Sequence, residues 1–187
     1  MSEKKSLLGY PPTRFISLLA IWGAITFAFT QVTIRGLPYG AVADLGGVPL
    51  TISAVFSPTP VFPIALAYVW NVLMLLTGAP LVANLSQYID IAIAQFFGWF
   101  LAHKTPLGKT VKGQVIAMIG CQMIRLPVDM VIQYPLFGIF QLGLTMEGLG
   151  PLLTTLFFIA LVMHVATLAV GVPLFLIGYE RLKRLFE

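Results

Sequence analysis

Three ionisable side chains, Asp90, Arg125 and Asp129, fall inside long apolar stretches of this sequence. Charged groups are costly in a membrane interior, where they face protein or a water-filled cavity and tend to be functional. Gln122 and Gln133 extend the second charged segment, because Gln122, Arg125, Asp129 and Gln133 recur every three or four residues. On a helix these four side chains fall within an arc of about 80°. One face of this predicted helix is therefore polar and cannot face lipid.

A second polar stripe lies on the preceding apolar segment, where Asn84, Gln87 and Tyr88 share a face with Asp90 on its flank. Consecutive spans run in opposite directions, so the two stripes lie toward the same side of the membrane and can face each other around a pocket. Amides, a phenol, carboxylates and a guanidinium suit a polar, hydrogen-bonding small molecule and are poor ligands for a transition metal. The predicted substrate-binding residues are Asn84, Gln87, Tyr88, Asp90, Gln122, Arg125, Asp129 and Gln133.

Other roles for these residues stay open. Arg125 and Asp129 are four residues apart and could neutralise each other as an ion pair, while amides also join helices inside membranes. An intramembrane enzyme that uses Asp90 and Asp129 is a further alternative. The sequence has no H-E-x-x-H, G-x-S-x-G or P-loop motif. We expect His103 to be a loop residue and His164 a packed residue, and we predict no catalytic residue, metal or cofactor.

The composition places these residues in a membrane protein. The chain of 187 residues is 58% hydrophobic and 10% charged, whereas a soluble domain is usually about 25% charged. Its mean hydropathy is +0.93. A helix needs about 20 apolar residues to cross the hydrocarbon core, so six compact spans fit in this length. The single cysteine, Cys121, excludes an internal disulfide.

Clusters of positive charge predict the topology. They lie in an N-terminal segment, 1–14, which holds Lys4, Lys5 and Arg14, in a central loop, 103–112, and near the C-terminus at 181–184. The positive-inside rule places all three clusters in the cytoplasm, so an even number of spans separates them. Arg35 falls on the other face, in a glycine-rich external loop, 34–47.

The predicted architecture is one all-α transmembrane domain over residues 1–187 with both termini cytoplasmic. Its six spans are predicted at 15–33, 48–57, 61–76, 81–102, 113–134 and 151–177. The second and third spans are short, so four spans plus a re-entrant hairpin is an alternative with the same charge parity. Pro127 is expected to kink the fifth span, and the stretch 135–150 is expected to be an external connection.

Small residues form a ridge on the first span. Ala20, Ala24 and Ala28 recur every four residues, with Gly23 beside them. Such ridges let another helix approach closely. The partner is either a helix of this chain or a docking subunit, and Ala20, Gly23, Ala24 and Ala28 are the predicted docking residues.

These features resemble the substrate-binding S component of an energy-coupling factor (ECF) vitamin transporter over nearly the whole chain. The segment Ala20-Ile21-Trp22-Gly23-Ala24, extended to Ala28, is similar to that family's A-x-x-x-A signature in helix 1. The segments 76–84, 104–113, 173–174 and 181–184 resemble the entry to helix 4, the loop before helix 5, the last helix and the tail. A narrower resemblance joins Ser86-Gln87-Tyr88-Ile89-Asp90 to the S-Q-x-x-D elements of queuosine-precursor transporters.

The resemblance implies a function. It implies six helices, with the loop 34–47 closing as a lid over a pocket lined by spans 4, 5 and 6. It also implies that the A-x-x-x-A ridge contacts a transmembrane coupling subunit, while separate subunits hydrolyse ATP. We therefore expect uptake of a small polar vitamin or nucleobase-like compound across the cell membrane, without nucleic acid as a partner. The alternative is a structural or assembly subunit of a larger membrane complex.

Overall fold

The structure is a computed structural model that describes residues 8–34 and 43–187. The predictions that rest on Lys4, Lys5 and Arg35 lie outside the described residues. The part of the chain that is described is helical, apart from one pair of two-residue strands. Strand β1, Thr33–Ile34, pairs antiparallel with β2, Ala43–Asp44, and places Thr33 opposite Asp44.

Six helices account for most of the described residues. They are α1 Pro12–Thr30, α2 Gly47–Phe56, α3 Val61–Leu76, α4 Leu81–Lys104, α5 Val111–Gln141 and α6 Met146–Phe186, with a 3-10 turn at Pro106–Lys109 between α4 and α5. Helices α1, α5 and α6 are long and apolar enough to cross a membrane, while α2 and α3 are shorter apolar helices. The predicted second and third segments, 48–57 and 61–76, are helical over nearly the same residues.

Proline explains why the fifth helix is irregular. Pro127 and Pro135 have no backbone N–H, so each removes one hydrogen bond of the α-helical ladder. A wider π-helical stretch follows each of them, at Asp129–Gln133 and at Phe137–Gln141. The stretch 135–150 is mostly helical, because helix continues through Gln141 and resumes at Met146, so the connection itself is shorter than predicted. Its external position stays a prediction. Gly143, with φ of 67°, makes the short turn between α5 and α6.

An aromatic cluster closes one end of the bundle. Phe62 makes edge-to-face contacts with Tyr10, Phe15 and Phe186, at ring-centroid distances of 6.0, 5.7 and 5.7 Å. Arg14 donates from Nη2 to the carbonyl of Leu185 at 3.0 Å and from Nη1 to that of Glu187 at 3.1 Å. The two ends of the described chain therefore meet here. We call this the basic end, because it holds Arg14, the 103–112 loop and residues 181–184.

The opposite end, which we call the lid end, holds β1, β2 and the turns at 77–80 and 142–145. Helices α4 and α5 run antiparallel between the two ends and touch at Gly98, where a Cβ atom would lie 2.8 Å from the Cβ of Cys121. The Cys121 thiol donates to the Ala94 carbonyl at 3.2 Å. One helical turn nearer the lid end, this register brings Arg125 beside Asp90.

Candidate functional site

A buried ion pair joins α4 to α5. Arg125 donates to Asp90 Oδ2 from Nε at 2.7 Å and from Nη2 at 2.5 Å. The Asp90 side chain is fully buried, and 11% of the Arg125 side chain remains exposed. The alternative of an ion pair between Arg125 and Asp129 is wrong, because Asp129 has a different partner on α6.

That partner is His164, the centre of a polar chain through three helices. His164 Nε2 lies 3.1 Å from Asp129 Oδ2, and Nδ1 lies 2.9 Å from Gln122 Oε1. Gln122 in turn donates from Nε2 to the hydroxyl of Thr51 on α2. Thr51 donates to the carbonyl of Gly47 at 2.8 Å. The chain therefore ties α2, α5 and α6 together next to the ion pair.

The donors and acceptors of this chain are consistent with one set of proton positions. Thr51 gives its one hydroxyl proton to Gly47, so its oxygen must accept from the amide nitrogen of Gln122. Gln122 then turns its carbonyl oxygen to His164 Nδ1, which must carry a proton. Between His164 Nε2 and Asp129 Oδ2 one further proton is needed, because two acceptors would otherwise meet. Wherever that proton sits, the His164–Asp129 pair carries no net positive charge.

A small cavity lies between the lid end and these buried groups. Its volume is about 20 Å³, which is room for about one water molecule. The wall comes from β2 and from α2 to α6, so α2 and α3 contribute as well as the predicted spans 4, 5 and 6. It is lined by Asp44, Gly47, Leu50, Trp70, Gln87, Ile91, Arg125, Met163, His164 and Thr167.

Asp44 carries a carboxylate at the lid side of this cavity. Its Oδ1 accepts the backbone N–H of Gly46 at 2.7 Å, which fixes the side chain. Gly46 must be glycine here, because a Cβ atom would collide with Thr30 Cγ2. Burial raises the pKa of Asp44 from its ordinary 3.8 to about 6, against the opposing effects of the Gly46 N–H and of Arg125.

Several buried polar atoms around the cavity lack a protein partner among the described residues. Trp70 is 2% exposed, and its indole Nε1–H has no acceptor in the described part of the chain. The Oδ1 atoms of Asp90 and Asp129 are also unpaired. An unsatisfied buried polar atom costs about 1–3 kcal/mol, so unpaired groups beside a cavity are those that a bound ligand can satisfy.

The predicted site residues fall into three groups. Gln87 and Arg125 line the cavity. Asp90, Gln122 and Asp129 form the buried ion pair and polar chain behind it. The other three, Asn84, Tyr88 and Gln133, do not line it.

Those three have other surroundings. Asn84 donates to the carbonyl of Asn71 at 2.9 Å and so joins α4 to α3. Tyr88 packs edge-to-face on Tyr68 of α3, with ring centroids 5.9 Å apart. Gln133 has a buried amide oxygen with no partner among the described residues.

The sequence reasoning missed Asp44, Trp70 and His164. His164 could have been found as a polar residue in the middle of an apolar span. Asp44 could have been found as a carboxylate next to the glycines that begin α2. Trp70 lies among apolar residues and carries no comparable signal. Among the described residues, no three His, Cys, Asp or Glu side chains are grouped as a metal site.

The alanine ridge of α1 faces outward. Ala20, Ala24 and Ala28 are exposed, and they share this face with Ile21 and Ile25.

Gly23 does not belong to that exposed face. It is buried, and a Cβ there would lie 3.1 Å from Val69 Cγ1 on α3. Its expected place beside the alanines on a docking face is therefore corrected: Gly23 packs inside the chain.

A larger cavity of about 440 Å³ lies at the basic end, between Tyr10, Phe56 and the last turn of α6. Two of its polar groups already have partners: His103 Nε2 bonds the Val55 carbonyl at 2.9 Å, and Lys183 lies 3.7 Å from Glu187. Because it contains no buried ion pair, we place the candidate site at the lid end.

Comparison with known proteins gives one informative result. No protein-family model matches the sequence, and no curated protein matches it either. A solved structure of the S component of a bacterial ECF transporter is similar, with a TM-score of 0.66 and 18% sequence identity. The alignment covers 95% of this chain and 99% of that one. The chain therefore has the fold of the S component of a bacterial ECF transporter.

Proposed function

We propose that this chain is the substrate-binding membrane subunit of an ATP-driven ECF transporter and takes up a small polar micronutrient of the vitamin or nucleobase-like kind. The observation that carries the proposal is the S-component fold, matched over 95% of the chain. A polar cavity at the lid end, lined by Asp44 of β2, Gln87 and Arg125, supports it, since that is where a ligand entering from the lid end would arrive.

In the proposed mechanism the chain binds and orients its ligand. The ligand enters from outside the cell and meets the cavity groups of Gln87 and Arg125. The lid, residues 34–47, closes over it and excludes water. Energy comes from ATP hydrolysis on separate subunits, since this sequence has no P-loop, and the chain reorients in the bilayer.

The proposal includes a topology and a docking surface. All six helices cross or enter the membrane, the basic end faces the cytoplasm and the lid end faces outward. The exposed ridge of Ala20, Ala24 and Ala28 is the surface for a coupling subunit, because small side chains let a partner helix approach closely.

A structural or assembly subunit is the second candidate. It is favoured by the observation that Arg125 pairs with Asp90 and His164 with Asp129, so the charged groups also hold α4, α5 and α6 together. This candidate does not account for the unpaired Trp70 N–H beside the cavity.

Purification of the tagged chain from its own cells separates the two candidates. A transporter subunit should copurify with a membrane coupling protein and ATPase subunits, and the complex should hydrolyse ATP. A stable complex that contains no ATPase would contradict the transporter proposal and favour an assembly role.

A further inference from the structure

The charges around the lid-end cavity do not cancel. Arg125 is paired with Asp90, and the His164–Asp129 pair carries no net positive charge in any arrangement of its protons that these contacts allow. Asp44 remains. Among residues 8–34 and 43–187, no lysine, arginine or histidine lies within ion-pair distance of Asp44. The described groups therefore give the cavity a net negative charge when Asp44 is ionised.

Two polar atoms beside the cavity have no hydrogen-bond partner among the described residues. Asp44 uses Oδ1 for the Gly46 N–H, and its Oδ2 accepts no hydrogen bond from the described residues. Trp70, which is 2% exposed, has an unpartnered Nε1–H beside the lid, 3.4 Å from where a Cβ on Gly46 would lie. The cavity thus offers a charged acceptor and, on the α3 wall, a neutral donor.

We infer that the substrate is a small organic cation: its positively charged N–H group donates to Asp44 Oδ2, and an acceptor atom on the same molecule receives the Trp70 N–H. This inference rests on the proposed function and names the class of substrate. A charge-assisted hydrogen bond in a water-poor site is stronger than a neutral one, so Asp44 selects cations over neutral molecules of the same shape.

The state of Asp44 agrees with this role. With its pKa raised to about 6 by burial, Asp44 is mostly ionised at neutral pH. Ionising a buried carboxylate costs free energy, and a bound cation removes part of that cost. Arg125 and His164 also face the cavity, with Asp90 and Asp129 behind them, but each of these is already engaged in a pair.

The size of the cavity decides which probe to use. At about 20 Å³ it accepts only a small group before the wall must move. Met163 is the wall residue best able to give way, because an unbranched thioether side chain adapts easily. Acetamidinium, acetamide and acetate are planar and similar in size. Acetamidinium tests the cationic donor to Asp44 by itself, because it has no acceptor atom for the Trp70 N–H.

The experiment titrates these three probes into the purified full-length protein at neutral pH and constant ionic strength, with calorimetric detection. We expect acetamidinium to bind at least about tenfold more tightly than acetamide, and acetate to bind more weakly than both. Asp44→Asn should abolish the difference between acetamidinium and acetamide while keeping the acceptor for the Gly46 N–H. Glu147→Gln, which removes an exposed carboxylate at the same end, should leave the difference intact.

Equal binding of acetamidinium and acetamide, a preference for acetate, or no binding of any probe by the wild-type protein would overturn the inference. The wild-type series decides this even if the Asp44 variant does not fold. The same preparation is assayed for copurifying ATPase subunits. If they are present without cation preference, only the inference on substrate class fails; if they are absent, the proposed transport function fails.

Discussion

Arg125 reaches Asp90 with two nitrogens one helical turn from the point where the Cys121 thiol bonds the Ala94 carbonyl. The contact between α4 and α5 thus sets which charged residues meet. Asp90 and Arg125 are 35 positions apart in sequence, and the close helix crossing brings them together.

Breaking this ion pair should be costly. Asp90→Asn leaves a buried guanidinium uncompensated, so we expect a loss of about 3–5 kcal/mol in the free energy of unfolding. Combining it with Arg125→Met should recover part of that loss. Denaturation in detergent, followed by tryptophan fluorescence, measures both.

Lys183→Gln is the control for that series. It removes the exposed Lys183–Glu187 pair, which should be worth less than about 1 kcal/mol. If Asp90→Asn lowers the free energy of unfolding by no more than Lys183→Gln does, the Asp90–Arg125 ion pair does not stabilise the fold.

The close crossing of α4 and α5 at Gly98 leads to a second prediction about stability. Gly98→Ala places a methyl group 2.8 Å from Cys121 Cβ, and we expect overpacking to cost about 1–3 kcal/mol. Gly148→Ala is the matched control on α6, because its methyl group would meet only ordinary contacts, at 3.7 Å or more from Leu144. Equal melting temperatures for the two variants would contradict a tight crossing at Gly98.

Asp44 should lower the stability of the ligand-free protein at neutral pH. The folded protein holds the Asp44 proton up to about pH 6, while an ordinary aspartate releases it at 3.8. The free energy of unfolding therefore falls as the pH rises through this window. The free energy of unfolding of Asp44→Asn lacks this fall. It should therefore equal the wild-type value near pH 3.8 and exceed it by about 1–3 kcal/mol above about pH 6.

Thermal unfolding across this pH range tests that prediction, with Glu147→Gln as the control that changes an exposed carboxylate. A variant that is less stable than wild type above pH 6 would mean that Asp44 is paired and would contradict its account as a free carboxylate.

If the exposed alanine ridge on α1 is a docking surface, a bulky side chain there should weaken docking without changing the stability of the chain. Ala24→Leu should leave the melting temperature of the isolated chain unchanged and reduce the recovery of copurifying coupling subunit at least about tenfold, because a larger side chain blocks close helix approach. Ala169→Leu places the same bulk on an exposed position of α6 and should have no effect on recovery. Unfolding of the isolated Ala24→Leu variant would show that the ridge packs internally.

The sequence predicts the helices better than the contacts between them. Pro58 and Pro60 separate α2 from α3, so their bounds could be read directly. The sequence also predicts a connection over 135–150, but α5 continues past Pro135 into the π-helical stretch Phe137–Gln141, which no local pattern reveals.

The candidate site was only partly predictable. Periodicity places Gln122, Arg125 and Asp129 on one helix face, but it cannot say which of them meets Asp90 or His164. Those pairs depend on the register between helices. Asp44 reaches the cavity only because the chain folds back at the β1–β2 pair, a tertiary feature beyond sequence spacing.

If the lid-end cavity holds the substrate, removing a side chain from the cavity wall must weaken substrate binding. The small molecule released by denaturing the purified wild-type protein is identified by mass spectrometry and titrated back into ligand-free wild type, Gln87→Ala and Gln31→Ala. Gln87 lines the cavity, whereas Gln31 is an exposed amide near the lid. We expect Gln87→Ala to weaken binding about ten- to a hundredfold, the effect of about 1–3 kcal/mol for an unpaired ligand group. Gln31→Ala should bind as wild type does. Unchanged affinity in Gln87→Ala would contradict the placement of the substrate in this cavity.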